Sequence, residues 1–253
     1  MRLHFDDIVF GPIYSRRLGS SLGVNILPSK GKLCNFDCVY CECGWNKDGI
    51  SDKRYPRLAE VESALECRLS KLAQEGTAVD SITFSGNGEP TMNPDFAGIV
   101  NVTLALRDRY CPDAKVSVLS NATLAWRDDI FEALSKVDNP IMKLDAGTGD
   151  LVRAVNKPVG AYDIDKVVES LTKFEGNFVL QTMFVRSEVF DTTVPEALSG
   201  WMDIVRKLSP REIMIYTIDR ETPDKTLQKY SVEEMTSFVQ PLLDEGYDIQ
   251  IRG

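Results

Sequence analysis

With 253 residues, the chain is long enough to bury a core without disulfides, and its 43% hydrophobic and 26% charged residues suit a globular protein. Lysine and arginine total 29 against 38 acidic residues, a net charge of −9, the wrong sign for a protein that grips nucleic acid by neutralising phosphates. The acidic start, MRLHFDDIVFGP, and the lack of any run of about 20 apolar residues argue against a signal peptide and a membrane span, so a cytoplasmic location is expected.

In chain order, a small strand near 8–10 and a first full strand at 22–26 lead into a loop that holds four of the six cysteines. A helix is expected over 58–72, where Val61, Leu65, Leu69 and Leu72 fall at helical spacing. A strand at 81–84 follows, then a helix opened by Pro94, whose missing N–H costs little in a first turn. Strands at 116–119 and 141–144 flank a helix over 126–137, and a helix over 164–174 precedes a strand at 178–184. The chain continues with a helix at 195–208, a strand at 213–218, a helix at 231–245 and a short strand at 247–251. Ser231 and Glu234 give the last helix a capping-box signature. No repeat or interdomain linker interrupts 1–253, so one domain is expected. Strand and helix alternation means parallel strands with crossover helices. Six such units are too few for a closed eight-fold barrel, and the fold expected is a partial, open (β/α)6 barrel of α/β class. Its functional residues belong on the loops at the C-terminal strand ends.

The loop after the first strand reads Cys34-Asn-Phe-Asp-Cys38-Val-Tyr-Cys41, with Cys43 two residues on. Crowded cysteines in a chain of this size point to a metal site more than to a disulfide framework. Thiolates suit zinc, copper(I) and iron–sulfur clusters. Structural zinc normally takes four protein ligands, which Cys43 or a distant group would have to complete, since the single His4 lies far off in sequence. Three cysteines on a cubane leave one iron open. Cys43 is read as a packed or loop thiol, and Cys67 and Cys111 as structural thiols. The loop itself is expected to lie outside the core.

C-x3-C-x-aromatic-C resembles the defining motif of the radical S-adenosylmethionine superfamily. The resemblance implies a [4Fe–4S] cluster on Cys34, Cys38 and Cys41, with the amino and carboxylate groups of S-adenosylmethionine on the open iron. Reductive cleavage then yields methionine and a 5′-deoxyadenosyl radical that abstracts hydrogen from substrate. Ser85-Gly86-Asn87-Gly88-Glu89-Pro90-Thr91 is similar to the family's Gly-Gly-Glu-Pro motif, which implies that Gly86, Gly88 and Glu89 approach the methionine amino group. Ser120 and Asn121 resemble ribose or carboxylate contacts, with a turn or cap as the plainer reading. Tyr40 stands where the family has an aromatic that packs beside adenine; local packing is its alternative. The segments 10–19 and 21–25 resemble the N-terminal part of wyosine-synthase-related radical proteins. The chain departs from the tRNA-modifying enzyme in lacking a second cysteine set before this loop, and its acidic balance suits tRNA poorly.

Lys143, Asp145, Gln181, Arg186, Asp219 and Arg220 fall at later strand ends. Lys143 suits anion binding or Schiff-base chemistry, or simply an ion pair with Asp145. Arg186 and Arg220 suit a carboxylate or phosphate, and Arg16 and Arg17 add charge from the N-terminal loop. The resemblance also implies an electron donor such as flavodoxin or ferredoxin and a small-molecule, peptide or protein substrate. Activation of a glycyl-radical enzyme, tRNA-base modification and a non-catalytic metal-binding role are the competing readings.

Overall fold

The computed structural model describes residues 5–15, 17–48 and 53–253. Strands β1 (Val9–Ser15) and β2 (Gly19–Val24) form an antiparallel hairpin. To it are added β3 (Ser81–Phe84), β4 (Lys115–Ser120), β5 (Asn139–Lys143), β6 (Val179–Met183), β7 (Glu212–Tyr216) and β8 (Ile249–Arg252). Each is parallel to its predecessor and hydrogen-bonded to it, in strict sequence order. Strands laid down in order, each joined by a crossover of one hand, curl the sheet into an open part-barrel with its helices outside.

The crossovers are α1 (Leu58–Glu75), α2 (Phe96–Tyr110), α3 (Asp128–Lys136), the pair α4 (Gly149–Asn156) and α5 (Ile164–Thr172), α6 (Pro195–Leu208) and α7 (Val232–Asp244). The period-2 strand pattern divides the faces. Ile82, Phe84, Val116 and Val118 join the helices in the main core. The inner face carries Ser21, Ser81, Thr83 and Ser117 in a hydroxyl ladder with O–O distances of 2.8–3.0 Å. Ile141, Val179 and Met214 form a small apolar plug beside it.

Three local differences from the sequence reading have identifiable causes. β1 runs to Ser15 because the hairpin continues beyond a register shift between Phe10 and Ile13. α2 begins at Phe96, not Pro94, because Asn93 Oδ1 accepts the Asp95 N–H at 2.8 Å and turns the chain before the helix. α4 was not expected at all: its eight residues follow Ala146-Gly147-Thr148, which reads as loop, and Thr148 caps it through the Leu151 N–H.

α7 carries its expected capping box. Ser231 Oγ accepts from Glu234 N at 3.1 Å, and Glu234 Oε2 accepts from Ser231 N at 2.7 Å. Ser231→Ala is expected to cost about 1 kcal/mol, read as a lowered urea midpoint with an unchanged slope. Among the described residues no helix is long and apolar enough to cross a membrane.

Candidate active site

The parallel strands bring their C-terminal ends to one edge, and there the sequence candidates meet. The cysteine loop leaves β2, Gly86 to Glu89 leave β3, Ser120 and Asn121 end β4, Lys143 ends β5, and Tyr216 ends β7. A pocket of about 290 Å³ is lined by Cys34, Cys38, Cys41, Glu89, Lys143 and Tyr216, among others. A wider groove of about 840 Å³ lies outside Asn35 and Phe36, but no cysteine lines it. Among the described residues no three Cys, His, Asp or Glu side chains close on a single metal ion. His4 and Arg16 lie outside the described residues.

The expectation that the cysteine loop lies outside the core is corrected. Phe36, Val39 and Tyr40 are buried with Val152, Val155 and Met183 in a second apolar cluster beneath the loop. α4 is the surface the loop packs on: Asp37 N donates to Asn156 O and Val39 N to Val155 O, both at 2.9 Å. On the other side, Leu33 N donates to Asn87 O at 2.8 Å, and Leu33 bridges Gly88. A Cβ on Gly88, whose φ is +140°, would lie 1.8 Å from Leu33 O; a Cβ on Gly86 would lie 2.3 Å from Asn25 Oδ1. These glycines are therefore required by packing of loop against loop.

Lys32 went unnoticed in the sequence. It is 3% exposed, and its ammonium donates to Gly44 O at 3.1 Å and to Asp37 Oδ1 at 3.2 Å. Burial works against that charge, but Cys41, Cys34, Cys38 and Asp37 outweigh it and raise the lysine above its ordinary range. Burial pushes the Cys34 thiol upward and the Cys38 thiol up to about 11, while a hydrogen bond from Cys43 brings Cys41 down to about 6. Cys43 Sγ also lies 3.5 Å from Gly86 O, as a loop thiol would.

Cys111 packs partly buried against the main core. Cys67 does not fit its expected place: it is exposed, off the buried face of α1 formed by Val61, Leu65, Leu69 and Leu72. Cys67→Ser is accordingly expected to change stability by less than about 0.5 kcal/mol, read as an unshifted urea midpoint.

Glu89 is buried and its carboxylate is fully engaged. Oε1 accepts from Thr91 N (3.1 Å), Thr91 Oγ1 (2.6 Å) and Ser120 Oγ (2.9 Å), and Oε2 accepts from Asn121 N at 2.7 Å. Burial still outweighs those bonds and raises its pKa. Asn121 Oδ1 accepts from Thr123 N and Oγ1, and its Nδ2 donates to Asn35 Oδ1 at 2.6 Å. Ser120 and Asn121 thus line the pocket while locking the β3 and β4 loops to the cysteine loop.

Asp145 is the hub that ties the cysteine loop to β6 and α4. It is 1% exposed; Oδ2 accepts from Tyr40 Oη and from Asn156 Nδ2 (2.6 Å), and Oδ1 accepts from Met183 N at 2.8 Å. Lys143 Nζ lies 3.8 Å from Oδ1 and donates to Tyr216 Oη at 2.6 Å. Asn156, another residue the sequence did not single out, also reaches Cys38 Sγ at 3.4 Å. Burial opposes the Lys143 ammonium, but Asp145, Tyr216 and Cys38 raise it above the ordinary lysine range. A Schiff base needs the free amine, so this setting suits an anion-binding ammonium and the ion pair with Asp145.

The two arginines separate. Arg220 pairs with Glu42 at 2.7 Å at the mouth of an adjoining pocket, which Asp219 also lines. Arg186 stacks over Tyr230, 4.6 Å from the ring centroid, and lines neither pocket. Gln181 and Arg17 do line the cysteine pocket.

Comparison with known proteins identifies the family and the fold. The sequence model of the Radical SAM superfamily matches residues 29–194. The UPF0026 protein of Helicobacter pylori strain J99 is 31% identical over 232 residues, covering 90% of this chain and 71% of its own. Streptococcus suis SuiB, solved bound to S-adenosylmethionine, superposes with a TM-score of 0.65 at 16% identity over 91% of this chain, which spans 50% of SuiB. TYW1, solved with a lysine–pyruvate adduct, superposes at 0.62 with 13% identity, over 91% of this chain and 76% of its own. At such identities the two structures establish the shared part-barrel fold.

Proposed function

The chain belongs to the Radical SAM superfamily, and from that premise we propose that Cys34, Cys38 and Cys41 hold a [4Fe–4S] cluster with S-adenosylmethionine beside it. When bound, the pair supplies an electron and a 5′-deoxyadenosyl group for hydrogen abstraction from substrate. The observation behind this reading is that three thiols, the β3 and β4 loops and Lys143 line one pocket at the C-terminal edge of the sheet.

The donor set fits the group. Three soft ligands come from one short loop that is clamped on both sides, and Lys32 places a buried positive charge beside all three thiols. Gly86 and Gly88 keep the β3 loop against that loop, offering backbone polar groups to the methionine end of S-adenosylmethionine. Glu89 shapes this wall by fixing Thr91, Ser120 and Asn121, because its own oxygens are occupied. Tyr40 presents its ring to the pocket while its hydroxyl is tied to Asp145. Lys143 lines the same pocket as the thiols, its ammonium over the Tyr40 ring, and would face substrate. A small molecule or a peptide or protein segment fits this placement better than nucleic acid, given the net charge of −9. Flavodoxin or ferredoxin is the class of donor such a cluster requires.

Anaerobic reconstitution with iron and sulfide, reduction with dithionite and addition of S-adenosylmethionine tests the reading. The expected result is a four-iron electron paramagnetic resonance signal that changes with S-adenosylmethionine, together with 5′-deoxyadenosine. Stoichiometric zinc without iron in anaerobically purified protein would overturn it in favour of a non-catalytic metal-binding role.

A further inference from the structure

The pocket that the cysteines line also holds more hydrogen-bond donors than free acceptors. Arg17 Nη1 is buried and has no hydrogen-bond partner among the described residues, although its guanidinium packs 4.9 Å from the centroid of the Tyr216 ring. Tyr216 Oη accepts from Lys143, and among the described residues nothing accepts the phenol proton in turn. Gln181 is 5% exposed, and its side-chain amide has no hydrogen bond among the described residues. Lys143 completes the group, with an ammonium between the rings of Tyr40 and Tyr216, 5.1 and 5.2 Å from their centroids.

All four side chains line the pocket that the three thiols line. The acidic groups nearby are already committed. Asp145 accepts from Tyr40, Asn156 and Met183 as well as facing Lys143, Glu89 accepts four internal bonds, and Glu42 pairs with Arg220. Arg17, Lys143 and Tyr216 are partly buried and Gln181 is buried, so their spare donors, the orphaned Arg17 Nη1 above all, favour an acceptor that arrives to meet them. A planar carboxylate matches them well: guanidinium and ammonium make charge-assisted bonds to its oxygens, and the phenol and amide donate to the remaining lone pairs.

We propose that Arg17, Lys143, Gln181 and Tyr216 form a subsite for a carboxylate of the substrate, in the pocket that the cysteines also line. The proposal rests on the radical S-adenosylmethionine reading, and S-adenosylmethionine itself carries a carboxylate, so the two sources of the same chemistry must be separated. A subsite of this kind would hold a small carboxylic acid, or an acidic group on a larger substrate, by its charged end. It would leave the rest of the molecule free to meet the abstracting group. Selection then falls on the anion before it falls on the carbon skeleton.

The test uses the reconstituted holoprotein with malonate as probe, titrated calorimetrically with and without saturating S-adenosylmethionine. Malonate is expected to bind whether or not S-adenosylmethionine is present, and Arg17→Gln is expected to weaken it at least tenfold. Arg17→Lys should recover part of that loss by restoring the charge, and Tyr216→Phe, which keeps the ring under Arg17, should weaken malonate severalfold. Displacement of malonate by S-adenosylmethionine would overturn the proposal, because the anion would then be the cofactor's own. So would a holoprotein that binds S-adenosylmethionine but no malonate, or an Arg17→Gln variant with undiminished malonate affinity. Failure of the underlying reading would look different: no iron signal and no S-adenosylmethionine binding in the wild-type protein.

Discussion

Cys38→Ala is expected to abolish 5′-deoxyadenosine formation and stable iron loading while lowering the urea midpoint only by the equivalent of about 1 kcal/mol. Cys38 is 8% exposed, and its backbone stays pinned through its neighbours, with Val39 N donating to Val155 O at 2.9 Å. Removing one sulfur from the rim of a pocket leaves a small void, and its neighbour Asn156 keeps both Tyr40 Oη and Asp145 Oδ2 as partners. The stability cost should therefore stay near 1 kcal/mol, in the range of an ordinary small truncation. The chemical cost is of another order, since two thiolates do not replace three on a cubane. Circular dichroism and urea unfolding read the first effect, and iron content with anaerobic S-adenosylmethionine cleavage reads the second. Cleavage retained by the alanine variant would remove Cys38 from the proposed ligand set.

How much of this was visible in the sequence depends on how local each feature is. The strands and most helices were legible because each crossover repeats one pattern, an apolar strand and then an amphipathic helix such as Val61, Leu65, Leu69 and Leu72. The end of β1 was not, because Ile13 and Tyr14 are 51% and 83% exposed and its register shifts, so no alternation marks it. The cysteines were legible because all three fall in eight consecutive residues, 34–41. Their supports were not. Asn156 lies 118 positions from Cys38 and reaches it only because α4, a helix hidden behind a glycine-rich lead-in, packs under the loop. Lys32 passed without notice, since nothing in its neighbours foretells that the loop folds over it and leaves it 3% exposed. Glu89 was expected to meet the methionine amino group, and Asp145 stood out only as a strand-end partner for Lys143. The folded chain saturates both with donors from other strand ends, which only the parallel register brings together.

Asp145→Ala should show the reverse of the Cys38 effect, a loss of fold that drags the chemistry with it. The substitution strips the acceptor from Tyr40 Oη, Asn156 Nδ2 and Met183 N at one stroke, and leaves the Lys143 ammonium without its counter-charge in a buried setting. Breaking a buried pair from one side typically costs about 3–5 kcal/mol, a large share of the roughly 5–15 kcal/mol that holds a domain together. Lys143 is raised above the ordinary lysine range, so its contribution is fully present below that range and is lost only as pH rises through the raised value. The penalty should accordingly persist unchanged across neutral pH. A double-mutant cycle isolates the charge from the hydrogen bonds. Asp145→Asn keeps an oxygen for Met183 N but abandons Lys143, and adding Lys143→Met removes the stranded cation. The pair of changes is expected to be more stable in urea than Asp145→Asn alone. If the two losses instead add, the ion pair contributes little and the hub holds through its neutral donors. In either case the wall that Asn156 shares with Cys38 loosens, so iron loading in Asp145→Ala should fall even though all three cysteines remain.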